Sequence, residues 1–269
     1  MNAAVPLLHM PDIQSQADAR GLALEEAGIR RLASPVRVRA GGREQATIAA
    51  YSLTVALPAT ERGAHMSRFV ELIESRSEVL EPATLRRLAQ RMLEKLGATS
   101  GAIEARFPLF RAKHAPVTGA RSRLEYRARW RATASLDGSG TLTMQVTVPV
   151  TSLCPCSKAI SDYGAHNQRS LLSIEVDTCA TIDTEELVAV AERAASCELY
   201  GLLKRADEKY VTERAYENPK FAEDMVRDAA LELMADPRVA RYVVEAENLE
   251  SIHNHSAYAR LSGPARAAA

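Results

Sequence analysis

Aromatic residues are scarce in this chain, with one Trp, eight Tyr and four Phe making up 5% of 269 residues, and there are only four Cys. So few thiols exclude a disulfide-stapled miniprotein and point to a reducing, cytoplasmic setting, where Cys serves chemistry or metal binding rather than bridges. Neither charge is in surplus: 34 Lys and Arg balance 34 Asp and Glu. A general nucleic-acid binder carries a basic excess, so no nucleic acid is expected as a partner, whereas a small anion needs only a few local cations. No stretch approaches 18 consecutive apolar residues, so no membrane span is expected. Residues 1–10 lack the basic start and apolar centre of a secretory signal.

What is present is ordinary for a folded protein: 46% hydrophobic and 25% charged residues. The length allows one large domain or two small ones, with ample surface to bury. Residues 1–33 are weakly patterned and are expected to form an arm. Beyond them Tyr51, Leu53, Val55 and Leu57 alternate with Ser52, Thr54 and Ala56, the period of a half-buried strand. Helical stripes follow over 66–77 (Phe69, Leu72, Ile73) and 82–96 (Leu85, Leu88, Met92, Leu96), the second closed by Gly97. Strands are expected at 101–111 and 122–136. In the latter Tyr126, Ala128, Trp130 and Ala132 share one face, and Arg123, Arg127, Arg129 and Arg131 share the other.

Residues 137–140 (DGSG) mark a hairpin. The order then repeats: strand 141–150, a loop with a short helix over 151–164, strand 167–178, helix 184–203, a connecting segment, helix 220–235, and strands at 239–248 and 255–261. Both halves read strand-strand-helix-helix-strand-strand. This describes an α+β protein with antiparallel sheets and helices on one face. The expected division is an arm at 1–33, a first unit at 34–137, a second unit at 138–262 and a tail at 263–269.

Residues 152–170 (SLCPCSKAISDYGAHNQRS) hold two thiols around one proline, with an imidazole twelve residues after the first. Cys154, Cys156 and His166 supply soft and borderline donors suited to zinc or a similar divalent ion. No second Cys pair stands at finger spacing, which favours an incomplete protein ligand set with a position left for water, as a hydrolytic site requires. The plainer alternative is two small buried thiols and a hydrogen-bonded His. For Cys179 and Cys197 a core role is the better reading. In the helix after Pro219, Phe221, Met225, Ala229 and Leu233 form the buried stripe, so Glu223 points away from it. By pattern alone Glu223 is a solvated carboxylate at a helix start. His253 and His255 sit at a turn, as general acid/base or as polar loop.

Together these stretches resemble the prokaryotic type IB GTP cyclohydrolases, the FolE2 family. The resemblance is carried by residues 152–170, 218–228 (NPKFAEDMVRD), 250–255 (ESIHNH), 11–17 (PDIQSQA) and 62–71 (RGAHMSRFVE), and it spans nearly the whole chain. It implies the tunnelling fold, in which two strand-strand-helix-helix-strand-strand units make a subunit and subunits assemble around a tunnel, here as a homotetramer with active sites at subunit interfaces. It implies one divalent metal ion per site (zinc, alternatively manganese or iron) on Cys154, His166 and Glu208, with Cys156 close by but not a ligand. It implies that Glu223 anchors guanine and that His253 is catalytic. The substrate implied is GTP, hydrolysed at guanine C8 with loss of formate and rearrangement to 7,8-dihydroneopterin triphosphate, the first step of tetrahydrofolate biosynthesis. Arg62, His65, Ser67 and Arg68, at a helix start where free N–H groups favour phosphate, are expected to take the triphosphate.

Three other readings compete. An archaeal branch of the family makes a cyclic phosphate product, though the motifs here look bacterial. A nitrile reductase of the same fold uses a Cys nucleophile and NADPH, but no G-x-G-x-x-G fingerprint occurs here. A structural zinc protein would need a fourth protein ligand.

Overall fold

Period-two alternation translates into one antiparallel sheet, because each such segment has an apolar face to bury and a polar face to leave wet. The computed structural model describes residues 12–264. Its strands are β1 (Leu24–Ala40), β2 (Arg43–Leu57), β3 (Ser100–His114), β4 (Arg121–Ser135), β5 (Leu142–Leu153), β6 (Asn167–Thr178), β7 (Cys197–Glu198), β8 (Val239–Asn248) and β9 (Ala257–Pro264). The helices are α1 (Met66–Glu74), α2 (Pro82–Leu96), α3 (Pro155–Ile160), α4 (Thr184–Ala194), α5 (Arg205–Glu217) and α6 (Ala222–Ala235). The sheet order is β1-β2-β3-β4-β5-β6-β8-β9, with β7 paired to β5 off that path. The expected ββααββ order therefore occurs twice, the second time with α3, β7 and α5 inserted.

α1 packs on β1, α2 on β3 and β4, α4 on β5 and β6, and α6 on β8 and β9. A single apolar cluster runs beneath the sheet through both halves. Trp130 is its largest fully buried member. The Trp130 ring meets Phe107 edge-on, with centroids 4.8 Å apart. Its Nε1 donates to Thr184 Oγ1 at 3.1 Å, so the indole is buried without an orphaned donor.

Polar groups also cross between the halves. Lys113 of β3 is 5% exposed. Its Nζ donates to Glu192 of α4 at 2.9 Å and also bonds Glu198 of β7. Glu192 accepts from the Tyr126 hydroxyl at 2.8 Å and from Arg111 at 3.2 Å. Burial pushes the Tyr126 phenol well above its ordinary value, and the adjacent Glu192 charge adds to the shift. At Glu198 burial opposes ionisation, but bonds from Lys113 and Tyr200 outweigh it and hold the carboxyl below its ordinary value.

Five expectations need correction. The arm placed at 1–33 contains the start of β1, whose pairing with β2 shifts register between Leu24 and Ala27 and again between Ile29 and Leu32. Those bulges break the alternation that would have revealed a strand. The connecting segment before α6 contains α5, whose only buried residues are Asp207 and Ala215, so no apolar stripe marks it. The helix expected over 184–203 ends at Ala194, because the chain then turns back to pair Cys197 with Thr151. Cys197 is thus in a strand, buried as expected, whereas Cys179 is exposed rather than core. Of the expected tail, Gly263 and Pro264 complete β9, while residues 265–269, like Pro11 of the N-terminal motif, lie outside the described residues.

Replacing Lys113 with Met leaves Glu192 and Glu198 without their shared buried cation. Removing one partner of a buried pair costs about 3–5 kcal/mol. Urea denaturation should show that loss, and a variant within about 1 kcal/mol of wild type would mean the network carries little.

Candidate functional site

Strand direction decides where each candidate residue lies. In the paired register Leu153, at the end of β5, faces Asn167 at the start of β6, and Ser170 faces Asn248 at the end of β8. The segments after β5, before β6 and after β8 thus gather at one end of the sheet. α6 starts there too, since Lys220 N donates to Leu153 O at 3.0 Å. That end brings together Cys154, His166, Glu223, Glu250 and His253.

Cys154 is the N-cap of α3, and its Sγ accepts from Ser157 N at 3.4 Å. Cys154 N donates to His166 O at 3.1 Å, so thiol and imidazole stand on adjacent, tethered strand ends. The His166 side chain is 15% exposed. Its Nδ1 is 3.0 Å from Gln168 Oε1, and Gln168 Nε2 donates to Ser152 Oγ at 2.8 Å. An amide oxygen only accepts, so Nδ1 is the donor in this contact and Nε2 is left for a ligand. Ser170 Oγ donates to the same Ser152 hydroxyl at 2.8 Å, and Ser152 and Ser170 are fully buried. Glu250 Oε2 lies 3.8 Å from His166 Nδ1. Polar residues at inward strand positions 152, 168 and 170, where the alternation calls for apolar ones, were the sequence signal for this relay, and it was missed.

Glu208 does not join that pair. Among the described residues no three His, Cys, Asp or Glu side chains are arranged to hold one metal ion. The cause lies one residue earlier. Asp207, fully buried, accepts from Val117 N, Thr118 N and Lys204 N, each at 2.9 Å, and from Thr118 Oγ1 at 2.7 Å. Burial opposes ionisation of Asp207, but these bonds outweigh it and keep the carboxyl well below its ordinary value. With that face of α5 turned inward, Glu208, about 100° further round, faces solvent. The chemistry of the pair suits a soft or borderline ion, a thiol with a free imidazole Nε2, but the third expected donor stands apart.

Glu223 lies in the exposed first turn of α6, beside Asp224, which bonds Phe221 N at 3.0 Å. His253 and His255 are exposed in the β8–β9 loop, stacked with centroids 5.1 Å apart. Cys156 is exposed on α3.

The expected phosphate residues lie elsewhere. They follow β2, whose end pairs with the start of β3, and three strands on that level corresponds to the start of β5 rather than its end. A strand of 12 residues spans roughly 35 Å. Within one chain this segment is therefore held apart from Cys154. His65 caps α1 in a left-handed conformation, φ 49°, with Nε2 3.3 Å from Ser15 Oγ. Arg62 donates to Gln16 Oε1 at 2.7 Å. Ser67 and Arg68, in the first turn of α1, have no side-chain hydrogen-bond or ion-pair partner among the described residues.

A family model described as type I GTP cyclohydrolase folE2 matches residues 10–259. GTP cyclohydrolase FolE2 of Paraburkholderia xenovorans (strain LB400) is 52% identical over 268 residues, 99% of this chain and 100% of that protein. The protein of the same name from Burkholderia mallei (strain SAVP1) is 53% identical over 262 residues, 97% of each chain. Among solved structures, urate oxidase from Bacillus subtilis 168 superposes with a TM-score of 0.53 at 9% identity, over 90% of this chain and 98% of its own. Uricase from Arthrobacter globiformis gives 0.52 at 11% identity, over 91% and 94%. At such identity these two show a shared architecture, the tunnelling fold, and nothing of activity. With the family model and relatives above half identity covering nearly its whole length, the chain belongs to the type I GTP cyclohydrolase FolE2 family.

Proposed function

We propose that this chain hydrolyses GTP at guanine C8, releasing formate and forming 7,8-dihydroneopterin triphosphate, the first step of tetrahydrofolate biosynthesis. The observation that carries the site assignment is the tethered Cys154–His166 pair, its imidazole tautomer held by Gln168, at the same sheet end as Glu223 and His253. Cys154 and His166 would hold one divalent ion, zinc or alternatively manganese or iron. Glu208, which stands apart from the pair in this structure, is exposed and without a side-chain partner among the described residues, and is the third donor we assign once an ion is bound. Such an ion supplies Lewis acidity and lowers the pKa of water toward 7.

The chain's own residues do the rest. Glu223 accepts two parallel bonds, from guanine N1–H and the exocyclic amine, and so orients the ring. His253 supplies and takes up protons at the imidazole-ring nitrogens of guanine as water adds at C8 and formate departs. Arg62, His65, Ser67 and Arg68 take the triphosphate. Because these four stand at the far end of the sheet from Cys154, they would serve the site of another copy, which supports a homo-oligomer, a tetramer in our reading, with sites shared between subunits. The compartment we assign is the cytoplasm.

Incubating metal-loaded protein with GTP should yield formate and, after oxidation, a fluorescent pterin. No product at saturating GTP with metal bound would defeat the proposal. Sharing has its own measurement. Arg68→Ala should raise the KM for GTP with metal content unchanged, and Cys154→Ala should lose metal. Mixed and reassembled, and assayed at GTP well below the KM of Arg68→Ala, the two impaired proteins should recover activity, since some sites then combine intact Arg68 with intact Cys154. Failure to complement in verified mixed oligomers would place both residues in one chain's site. Gln168→Leu should weaken metal affinity about 10–100-fold in chelator competition, as loss of an outer partner of a ligating His does. An unchanged affinity would show that Gln168 does not orient His166.

A further inference from the structure

The sheet face opposite the helices carries a cavity of about 380 Å³ between β1, β2, β3 and β4, lined by none of the residues assigned above to metal, guanine, proton transfer or triphosphate. Its floor is small: Ala50, Ser52, Thr54 and Ala102 leave the space open. Its walls are basic: Arg30, Arg31, Arg106, Arg129 and Arg131 all line it, against the carboxylates Glu26 and Glu104. In the strand register Arg106 faces Arg129 directly, a like-charge pair that destabilises a sheet unless compensated.

Compensation is partial. Glu104, 8% exposed, takes Arg106 Nε at 2.7 Å and lies 3.7 Å from Arg129 Nη1. Glu26 is divided between Arg30 at 3.3 Å and Arg131 at 3.2 Å. Arg129 also pairs with Glu175, but its Nε is buried with no acceptor among the described residues. Arg31 has no acidic partner among the described residues. It sits at the β1 register shift with φ 63°, a conformation side chains seldom adopt, and bulges of this kind re-aim a side chain. Five guanidiniums thus meet two lining carboxylates and one beyond the rim, leaving donors and positive charge unmatched in a cavity floored by small residues.

We infer that this cavity is a second anion site, which binds a phosphate-class oxyanion independently of the α1 segment assigned to the substrate triphosphate. The chemistry is that of planar guanidinium forks meeting a tetrahedral dianion, for which Arg offers paired donors. The hydroxyls of Ser52 and Thr54, which make no side-chain hydrogen bond among the described residues, lie on the floor beneath it. Free phosphate and the phosphate chain of a nucleotide share this chemistry.

The test is calorimetric titration of the full-length Arg68→Ala protein, in which the α1 segment is weakened, with inorganic phosphate and with tripolyphosphate at constant ionic strength. Saturable binding near one anion per chain is expected, weakened at least about tenfold by adding Arg31→Ala or Arg131→Ala and partly restored by Arg31→Lys. Binding of phosphate itself assigns the site to the free anion, and binding of tripolyphosphate alone assigns it to a nucleotide's phosphates. Heat that does not saturate, or binding unchanged by Arg31→Ala and Arg131→Ala, overturns the inference. Neither outcome bears on formate release from GTP, so the two readings fail separately.

Discussion

Reversal of strand direction at each step across the sheet governs this molecule more than any single contact. In an antiparallel sheet every connection must emerge at one of two ends, and the number of strands crossed decides which. The segments around β5, β6 and β8 emerge together, so thiol, imidazole and carboxylates that are distant in sequence become neighbours. The segment after β2 emerges at the other end. A phosphate-binding role for it therefore calls for a second copy of the chain, and flexibility within one copy would not remove the need.

Buried polar groups then set the fine geometry at the crowded end. Ser152, Gln168 and Ser170 replace apolar side chains on the inward face of two adjacent strands, and each finds its partner within that group or at His166. A mutually bonded network of this kind rigidifies what it touches, because an unpaired member in a low dielectric is costly. Asp207 acts likewise on α5: four donors hold its carboxylate, and the helix orientation that results turns Glu208 outward. Both devices act through a neighbour, one by holding an imidazole and the other by turning a helix.

The chemistry-bearing motifs were legible because they combine rare residue types at fixed spacing, as in Cys154-Pro155-Cys156 with His166. The sheet was legible wherever alternation was clean, as along Tyr126, Ala128, Trp130 and Ala132, all of which are buried. α5 was not, because a helix anchored by one carboxylate and one Ala leaves no hydrophobic period to detect. The start of β1 was not, because two bulges shift its inward positions. Arg31 was illegible as anything but a surface charge, since its aim depends on backbone geometry at one of those bulges.

The family resemblance supplied Glu223 as the guanine candidate; by itself the sequence determined the two-fold recurrence of strand-strand-helix-helix-strand-strand and the residue types suited to a metal and to phosphate. These are local properties, written in side-chain period and composition. Tertiary structure alone decided that Cys154 and His166 meet while Glu208 turns away, that Arg62, His65, Ser67 and Arg68 stand at the opposite end, and that five arginines converge over a floor of small residues. Those outcomes follow from strand register, bulges and buried hydrogen bonds, which join residues across distances that no local pattern encodes.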